Sequence, residues 1–407
     1  MDTARSALNT AADEAYIVSA CRTPIGRFGG ALASLTASEL GAAAIAEAVG
    51  RSGVPPGSIE EVLMGNVIQA GQGQNPARQA AIKAGVPETV PCTTVNMVCG
   101  SGLKAVALAA QAIRAREAEC IVAGGMESMS NAPYVLPRRH GQFGDLVLAD
   151  LVVSDGLTDA FSGRHMALMC EDLGHSYGIT RQQQDAYAAL SQQRCEAAQR
   201  EGRFADEIVP VTVSNGREEK HVQADEHPRA GTTAESLGKL RPAFDPAGSI
   251  TAGNSSGIND GASAVLVVSG RFAERMNLPV MARIVSWASS ATEPERFGIA
   301  PAGAVRLALE RARLTLDDIE LIEANEAFAV QTLALSQEVG WPMDRVNVNG
   351  GAIALGHPIG ASGARILTTL LFEMRRRGVR NGLATLCCGG GMGIAVVVEA
   401  AEGRSRA

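Results

Sequence analysis

Cys99 is a residue whose type and surroundings suit nucleophilic chemistry. It lies in the segment VNMVCGSGLKA, where an apolar strand gives way to a helix and Gly100 and Gly102 permit a tight turn. A thiol at a helix start experiences the positive end of the helix dipole, which favours the thiolate and lowers the thiol pKa. Neighbouring backbone N–H groups are free to bind an oxyanion. The alternative interpretation is a small buried cysteine that packs the start of a helix.

A histidine and an asparagine could serve such a nucleophile. His357 lies in NGGAIALGHPIGASGAR, residues 349–365, a segment so rich in glycine that its backbone can approach a ligand closely. Histidine is the natural base for a cysteine nucleophile, although a histidine here could also merely pin its loop by hydrogen bonding. In EANEAFA, residues 323–329, Asn325 could hold a water or donate to an oxyanion, and Glu326 could orient His357. Either of these two residues could instead be a structural cap.

The segment LCCGGGMG places two adjacent cysteines, Cys387 and Cys388, before a run of glycines. Neighbouring side chains on a strand point to opposite faces, so only one of the two thiols can face a cleft at the strand end. The N–H groups of the following glycines could face the same cleft. The strand pattern by itself leaves open which cysteine faces the cleft.

The elements that must position these residues occur twice along the chain. A short apolar strand ends at an asparagine, a small-residue turn leads into an amphipathic helix, and a buried strand runs into glycines. The matching segments are 58–68 with 318–328, 99–113 with 360–374, and 119–128 with 382–393. We therefore predict two fused copies of one α/β domain that face each other, with the polar stretch 131–254 as an insertion. Gly360 is then the counterpart of Cys99, and the two loops meet over one cleft.

Composition and charge exclude several classes of protein. The 407 residues carry a net charge of −7, which argues against a general nucleic-acid-binding protein. Because there are only four lysines, an anionic substrate would have to be bound mainly by arginine. The eight cysteines show neither zinc-type spacing nor the density of a disulfide scaffold, and no apolar run is suited to span a bilayer. We expect a reduced, cytoplasmic protein that has no signal peptide, binds no nucleic acid and does not enter the membrane.

A set of motifs in one order resembles the thiolases, of the acetyl-CoA acetyltransferase type. The motifs are NMVCGSGLKA, GGMESMS, RPAFD, TAGNSSGINDGA, EANEAFA, NVNGGAIALGHPIGASGAR and LCCGGGMG, and the resemblance extends over about residues 16–400. It implies an α/β protein with the duplicated thiolase fold, five-layered as α-β-α-β-α, and an inserted loop domain. The implied domains are residues 14–130 with 255–279 for the N-terminal thiolase domain, 131–254 for the coenzyme A-binding loop domain, and 280–402 for the C-terminal thiolase domain.

The resemblance also implies a catalytic role for five residues. Cys99 resembles the nucleophile that takes the acyl group as a thioester, and His357 resembles the base that activates it and contributes to the oxyanion hole. Asn325 resembles the residue that holds a water in that hole. Cys387 resembles the acid/base that removes or returns the α-proton of the second acyl-CoA. The N–H groups of Cys99 and Gly389 resemble a second oxyanion hole.

Coenzyme A thioesters are the substrates that the resemblance implies, and no metal or prosthetic group is expected. The positions that match the coenzyme A contacts of the family are Leu157, His165, Met166, Arg229, Ser236, Phe244, Ala252, Gly253 and Ser256, with Ala327 and Phe328 lining the cleft. The family is commonly tetrameric, so the resemblance implies a homotetramer built as a dimer of dimers.

The implied activity is acyl transfer with carbon–carbon bond formation. We expect reversible Claisen condensation of two acetyl-CoA molecules to acetoacetyl-CoA and CoA, through an acetyl-cysteine intermediate and with ping-pong kinetics. The main alternative is a degradative 3-ketoacyl-CoA thiolase of fatty acid metabolism, acting in β-oxidation on longer chains. Phe297, at a cleft position that is often methionine in the family, bears on this choice because its ring could reshape the acyl pocket. A decarboxylating ketosynthase and a catalytically silent lipid- or CoA-binding protein on a thiolase scaffold are further alternatives.

Overall fold

The computed structural model describes residues 11–136, 145–214 and 218–401. Two parts of the predicted loop domain, residues 137–144 and 215–217, lie outside the described residues, as does residue 402 at the end of the predicted C-terminal domain. The fold is assembled from strands and helices that alternate along most of the chain. This alternation is the pattern that the sequence repeat predicts for an α/β protein.

The first half and the insertion contain ten strands and seven α-helices within the described residues. In the first half these are β1 Ala15–Arg22, β2 Gly26–Arg27, α1 Ala37–Ser52, β3 Glu61–Gly65, α2 Pro76–Lys83, β4 Cys92–Val95, α3 Ser101–Arg114 and β5 Cys120–Ser128. Next come β6 Tyr134–Val135, β7 Ala149–Asp150, α4 Met166–Ser176, α5 Arg181–Arg200, β8 Val211–Ser214, β9 Glu219–Val222 and α6 Ala234–Gly238. The chain then forms β10 Asn259–Ser269 and α7 Gly270–Arg275.

The second half repeats the order of the first. Its elements are β11 Ala282–Ala291, α8 Pro301–Ala312, β12 Leu321–Ala324, α9 Ala329–Val339, α10 Ala352–Leu355, α11 Ile359–Arg377, β13 Asn381–Cys388 and β14 Met392–Ala400. Local chemistry fixes several helix ends. Thr36 and Glu39 form a reciprocal capping box at the start of α1, and Gly378 ends α11 in the left-handed conformation that glycine adopts without strain.

One ten-stranded sheet contains the strands of both halves. Its main order is β12-β13-β14-β11-β1-β10-β5-β3-β4, and β2 pairs with β10. The two halves are joined where β1 meets β11 in a short antiparallel contact that pairs Tyr16 with Arg283 and Ile17 with Ala282. The sequence repeat predicts two facing copies but does not predict this hydrogen-bonded junction. Strand β10, which follows the insertion, pairs with β1 and β5 of the first half.

Three hydrophobic clusters divide the fold into layers. Helices α1 and α2 cover one face of the first half of the sheet, and α8 and α9 cover one face of the second half. Helices α3 and α11 lie between the two halves and pack with the strand residues that point inward from both. Alternation along single strands produces this division, because Leu383 belongs to an outer cluster and Ala384 to the central one. The resulting order of layers is α-β-α-β-α.

The two central helices approach each other closely at a pair of glycines, Gly102 in α3 and Gly363 in α11. A Cβ atom on Gly102 would lie 2.9 Å from the backbone nitrogen of Ala364. A Cβ atom on Gly363 would overlap the backbone nitrogen of Leu103 in the same way. The contact is therefore reciprocal between the two repeats, and it brings together the loops that precede the two helices.

Candidate active site

Cys99 lies on a tight turn that side chains hold in a strained conformation. Val98 has a φ of 50°, which is rare for a β-branched residue and marks backbone strain. Val98 N donates to Asn96 Oδ1 at 2.9 Å, and Met97 N donates to Ser101 Oγ at 2.9 Å. The Ser101 hydroxyl donates in turn to the Val98 carbonyl at 2.6 Å. This turn presents the thiol at the start of α3, as the sequence predicts.

The Cys99 thiol is not acidified by its position. Burial raises its pKa to about 11, and this effect outweighs the N–H groups of Gly389 and of Cys99 itself, which lower it. The negative charge of Glu127 adds to the increase. The prediction of a lowered pKa was therefore wrong. The position at the helix start favours the thiolate, but the desolvation of the thiol has the larger effect and favours the protonated form. At neutral pH the residue is a thiol, and its reaction as a nucleophile requires a base.

His357 is held in the tautomer that a base requires. Gly356, with a φ of 106°, leaves room for the Asn259 amide, whose Oδ1 accepts from His357 N at 2.9 Å. His357 Nδ1 lies 2.5 Å from Ser362 Oγ, and the Ser362 hydroxyl donates to the Pro358 carbonyl at 2.9 Å. Because the hydroxyl has a single hydrogen, it accepts the hydrogen of Nδ1. Nε2 therefore carries the lone pair that can accept a proton.

The other side of the imidazole contacts Asn325. Burial, followed by the charge of Arg365, lowers the pKa of His357 to about 3, so the ring is neutral at physiological pH. Asn325 Nδ2 lies 3.4 Å from His357 Nε2. Among the described residues, the buried Oδ1 of Asn325 has no hydrogen-bond partner. A polar amide beside the base is what an oxyanion or water site requires.

Glu326 does not contact the His357 ring. Its carboxylate accepts from the Tyr187 hydroxyl at 2.8 Å, the Ser191 hydroxyl at 2.7 Å and Ile353 N at 3.1 Å. The suggestion that Glu326 orients the imidazole was therefore wrong. It fixes instead the short helix α10, which precedes the histidine loop, to helix α5 of the insertion.

The two adjacent cysteines of β13 point to opposite faces. Cys387 lines the cleft and packs with Met166 and Phe297, whereas Cys388 belongs to the central core and faces Gly100. Burial, and then the neighbouring Cys99, raise the pKa of Cys387 well above its usual value. Only Cys387 is placed to act on a bound molecule.

A cleft of about 460 Å³ brings these residues together. Four of the five predicted catalytic residues line it, and Asn325 lies behind them against His357. The residues of this group that form the cleft wall are Cys99, His357, Cys387 and Gly389. A thiol, a neutral imidazole, a second thiol and backbone donors on one apolar cleft can support covalent acyl transfer and proton transfer to carbon.

Comparison with known proteins identifies the family. A model of the thiolase N-terminal domain matches residues 15–271, and a model of the thiolase C-terminal domain matches residues 278–400. The chain belongs to the thiolase family. It is 54% identical to an acetyl-CoA acetyltransferase of Allochromatium vinosum, over 94% of this chain and 98% of that protein. It is 55% identical to one of Pseudomonas aeruginosa, over 95% of this chain and 99% of that protein.

A solved structure shows the same fold. The acetyl-CoA acetyltransferase of Bacillus anthracis superposes with a TM-score of 0.93 at 42% identity, covering 97% of this chain and 100% of that one. The predicted thiolase fold is therefore confirmed, and so is the assignment of this thiolase as an enzyme.

Most of the residues predicted to bind coenzyme A line the cleft of this thiolase. They are Leu157, His165, Met166, Arg229, Phe244, Ala252, Ser256, Ala327 and Phe328. Arg229 is the only arginine or lysine in the cleft wall within the described residues. Ser236 and Gly253 are not part of the wall. The Ser236 hydroxyl donates to the Thr233 carbonyl at 2.8 Å, and Gly253 packs beneath Leu237. A role in binding coenzyme A stays a prediction for all of these residues, in the cleft wall or outside it.

His227 is a cleft residue of this thiolase that lies outside the sequence motifs described above. It lies two residues before Arg229, a predicted coenzyme A contact, and this proximity is the signal in the sequence that points to it. Burial, and then the charge of Arg229, lower its pKa to about 4. His165 is also a cleft residue, and burial lowers its pKa too. The cleft therefore contains neutral imidazoles in addition to His357.

We expect His227→Gln to change how stability depends on pH. The pKa of His227 falls from its usual 6.5 to about 4 on folding, so between these values only the unfolded chain binds the proton. His227 therefore destabilises the fold as the pH falls below 6.5. When the pH falls from 7.5 to 5, the unfolding free energy of the wild type should therefore decrease by about 1 to 2 kcal/mol more than that of the variant. Denaturant unfolding of both proteins at both pH values measures these decreases. Equal decreases in the two proteins would contradict the burial of a neutral ring.

Within residues 11–136, 145–214 and 218–401, no group of three or more His, Cys, Asp or Glu side chains is arranged to hold a metal ion. In the same ranges no helix has the length and hydropathy needed to cross a membrane.

Proposed function

We propose that this thiolase catalyses the reversible Claisen condensation of two acetyl-CoA molecules to acetoacetyl-CoA and CoA. The observation that carries the proposal is the convergence of Cys99, His357 and Cys387 on one cleft. Two relatives that are more than half identical to this chain are acetyl-CoA acetyltransferases, which supports the acetyl specificity. An acetyl-Cys99 intermediate separates the two half-reactions, which gives ping-pong kinetics.

In the first half-reaction Cys99 is acylated. Nε2 of His357 removes the thiol proton, and Sγ attacks the thioester carbonyl of acetyl-CoA. The carbonyl oxygen becomes an oxyanion, which accepts from the imidazolium and from a water on Asn325. The bond to the coenzyme A sulfur then breaks, and the departing thiolate takes the proton of Cys387. Cys99 is left as a thioester and Cys387 as a thiolate.

In the second half-reaction the carbon–carbon bond forms. The Cys387 thiolate removes an α-proton from a second acetyl-CoA, and the N–H groups of Cys99 and Gly389 stabilise the enolate oxygen. The α-carbon attacks the acetyl group on Cys99, and the bond between Sγ and the carbonyl breaks. Cys99 recovers its proton from His357, which returns every group to its starting state.

The raised pKa values of the two cysteines agree with this sequence of steps. Cys387 must hold a proton when coenzyme A departs, and a thiol whose pKa burial has raised does so at neutral pH. Its thiolate is then a strong base for the weakly acidic α-proton. Burial serves this function, because it keeps both cysteines protonated in the resting enzyme, so that each thiolate forms only during the reaction.

Assembly and location form part of the proposal. We propose a cytoplasmic homotetramer, arranged as a dimer of dimers. The apolar residues 146–148 of the insertion support a subunit contact, since Leu146, Val147 and Leu148 are 57%, 79% and 56% exposed. An exposed run of large apolar side chains is typical of a protein interface.

A thiolysis assay across acyl chain lengths tests the proposal. Purified enzyme is given CoA and a series of substrates from acetoacetyl-CoA to a long-chain 3-ketoacyl-CoA. We expect the highest kcat/KM with acetoacetyl-CoA, because the buried ring of Phe297 occupies the cleft wall next to Cys387. A kcat/KM that rises with chain length would instead identify a degradative thiolase. Acyl-CoA binding without transfer of radiolabel to Cys99 would identify a silent binding protein.

A further inference from the structure

His227 lies in the cleft wall, but the proposed steps give it no task. The segment that carries it is fixed on both sides. Before it, the Asp225 carboxylate accepts from the buried guanidinium of Arg22 at 2.7 and 3.0 Å. After it, Arg229 N donates to Gln192 Oε1 at 2.9 Å. Strand β1 and helix α5 thus hold the imidazole at a fixed place in the cleft.

Gly257 and Gly356 leave the space that the His227 ring and the neighbouring Asn259 amide occupy. A Cβ atom on Gly257 would overlap Cε1 of His227 and would lie 2.9 Å from its Nδ1. A Cβ atom on Gly356 would lie 2.5 Å from Cγ of Asn259. The ring and the amide therefore fill a space that any side chain at these two positions would close.

The Asn259 amide determines which nitrogen of His227 carries the proton. Its Oδ1 accepts from His357 N at 2.9 Å, and its Nδ2 donates to the Gly26 carbonyl at 3.0 Å. If the amide were turned over, its Oδ1 would face the Gly26 carbonyl oxygen and its Nδ2 would face the N–H of His357. Neither pair can form a hydrogen bond, so the orientation of the amide is fixed. The same Nδ2 lies 3.4 Å from His227 Nδ1. Nδ1 therefore accepts, and the proton is on Nε2, on the far side of the ring from Asn259.

The charge of His227 restricts what it can bind. Its lowered pKa leaves the ring neutral at physiological pH, so the ring offers one uncharged N–H donor. Such a donor suits a neutral carbonyl oxygen, while an anionic phosphate is better matched by the nearby guanidinium of Arg229. The pantetheine arm of coenzyme A carries two amide carbonyls and no charge.

We propose that His227 donates its Nε2–H to an amide carbonyl of the pantetheine arm of the acyl-CoA. The inference rests on the proposed function, since the coenzyme A thioester supplies the arm. Asn259 connects this contact to the site, because the amide that fixes the tautomer of His227 also accepts from the backbone of His357. His227 is thus a substrate-binding residue, whose position is coupled to the loop of the catalytic base.

The test compares a variant that removes the donor with one that restores it. His227→Phe keeps the ring volume without the N–H, and His227→Gln places an amide N–H near the position of Nε2. Thiolysis of acetoacetyl-CoA is measured with CoA as the acyl acceptor and then with pantetheine, which lacks the nucleotide. We expect His227→Phe to raise the KM of both acceptors about three- to tenfold, as loss of one neutral hydrogen bond implies. His227→Gln should recover most of this loss.

Three results would overturn the role of His227. These are an unchanged KM in His227→Phe, an equal loss in His227→Gln, and a loss with CoA that is absent with pantetheine. Thermal melts establish that the variants are folded, and His227→Leu replaces His227→Phe if the larger ring prevents folding. Absence of thiolysis in the wild type would overturn the proposed function itself, so the two failures are distinguishable.

Discussion

Replacing Cys387 with serine is expected to lower thiolysis and condensation by about 100- to 10,000-fold, the usual contribution of a general acid/base. A serine hydroxyl cannot supply a base of thiolate strength for the α-proton. Transfer of a radiolabelled acetyl group from acetyl-CoA to Cys99 should fall by much less, because a coenzyme A thiolate departs without assistance more easily than a carbanion forms. Quench experiments that count label on Cys99, together with steady-state rates, measure the two half-reactions separately.

The adjacent residue provides the matched control for this variant. Cys388→Ala also removes a buried sulfur from β13, but on the face that packs against the central core. It should reduce stability modestly and leave turnover near that of wild type. If Cys387→Ser reduced label transfer and condensation equally, or if Cys388→Ala reduced turnover as much, the assignment of the second thiol would be wrong.

Replacing His357 with alanine is expected to slow both half-reactions, with overall turnover falling by about 100- to 10,000-fold. The reason is the pKa of Cys99, which burial raises to about 11, so that the thiol stays protonated without a base. Alkylation of Cys99 by iodoacetamide at pH 7 should therefore slow as well. In the variant its rate should rise about tenfold per pH unit between pH 7 and pH 10, since only the thiolate reacts.

A histidine on the surface provides the control for this second variant. His175→Gln removes an exposed imidazole near the end of α4 and should change neither turnover nor alkylation. An alkylation rate at pH 7 that is the same in His357→Ala and wild type would show that Cys99 is a thiolate without its base. In that case the helix start, and not the histidine, would be the source of its reactivity.

The repeat in the sequence predicted the parts of the fold that depend on local pattern. The turn and helix after Cys99 match those after Gly360, and both helices form where the apolar spacing places them. Because consecutive side chains of a strand alternate, the prediction that Cys387 and Cys388 face opposite sides also follows from local geometry. Motif resemblance then identified the family, and the family models support it over both halves.

Features that depend on distant neighbours could not be predicted in this way. The sign of the shift in the pKa of Cys99 depends on how much protein surrounds the thiol, which no local segment encodes. Glu326 contacts helix α5, more than a hundred residues earlier, and not the nearby His357. The tautomer of His227 depends on Asn259, whose own partners come from three separate segments. Each of these is a tertiary contact between residues that are distant along the chain.

The close contact between helices α3 and α11 at Gly102 and Gly363 resembles one between two identical chains related by symmetry, because each helix has a glycine where the backbone of the other approaches it. In such a pair any change in one loop is forced on both. Joining the two copies into one polypeptide removes that constraint and keeps the interface. One loop can then carry Cys99 while its counterpart carries Gly360, and a single asymmetric reaction centre is built on a symmetric frame. Gene fusion in this architecture gives each copy of a loop the freedom to specialise.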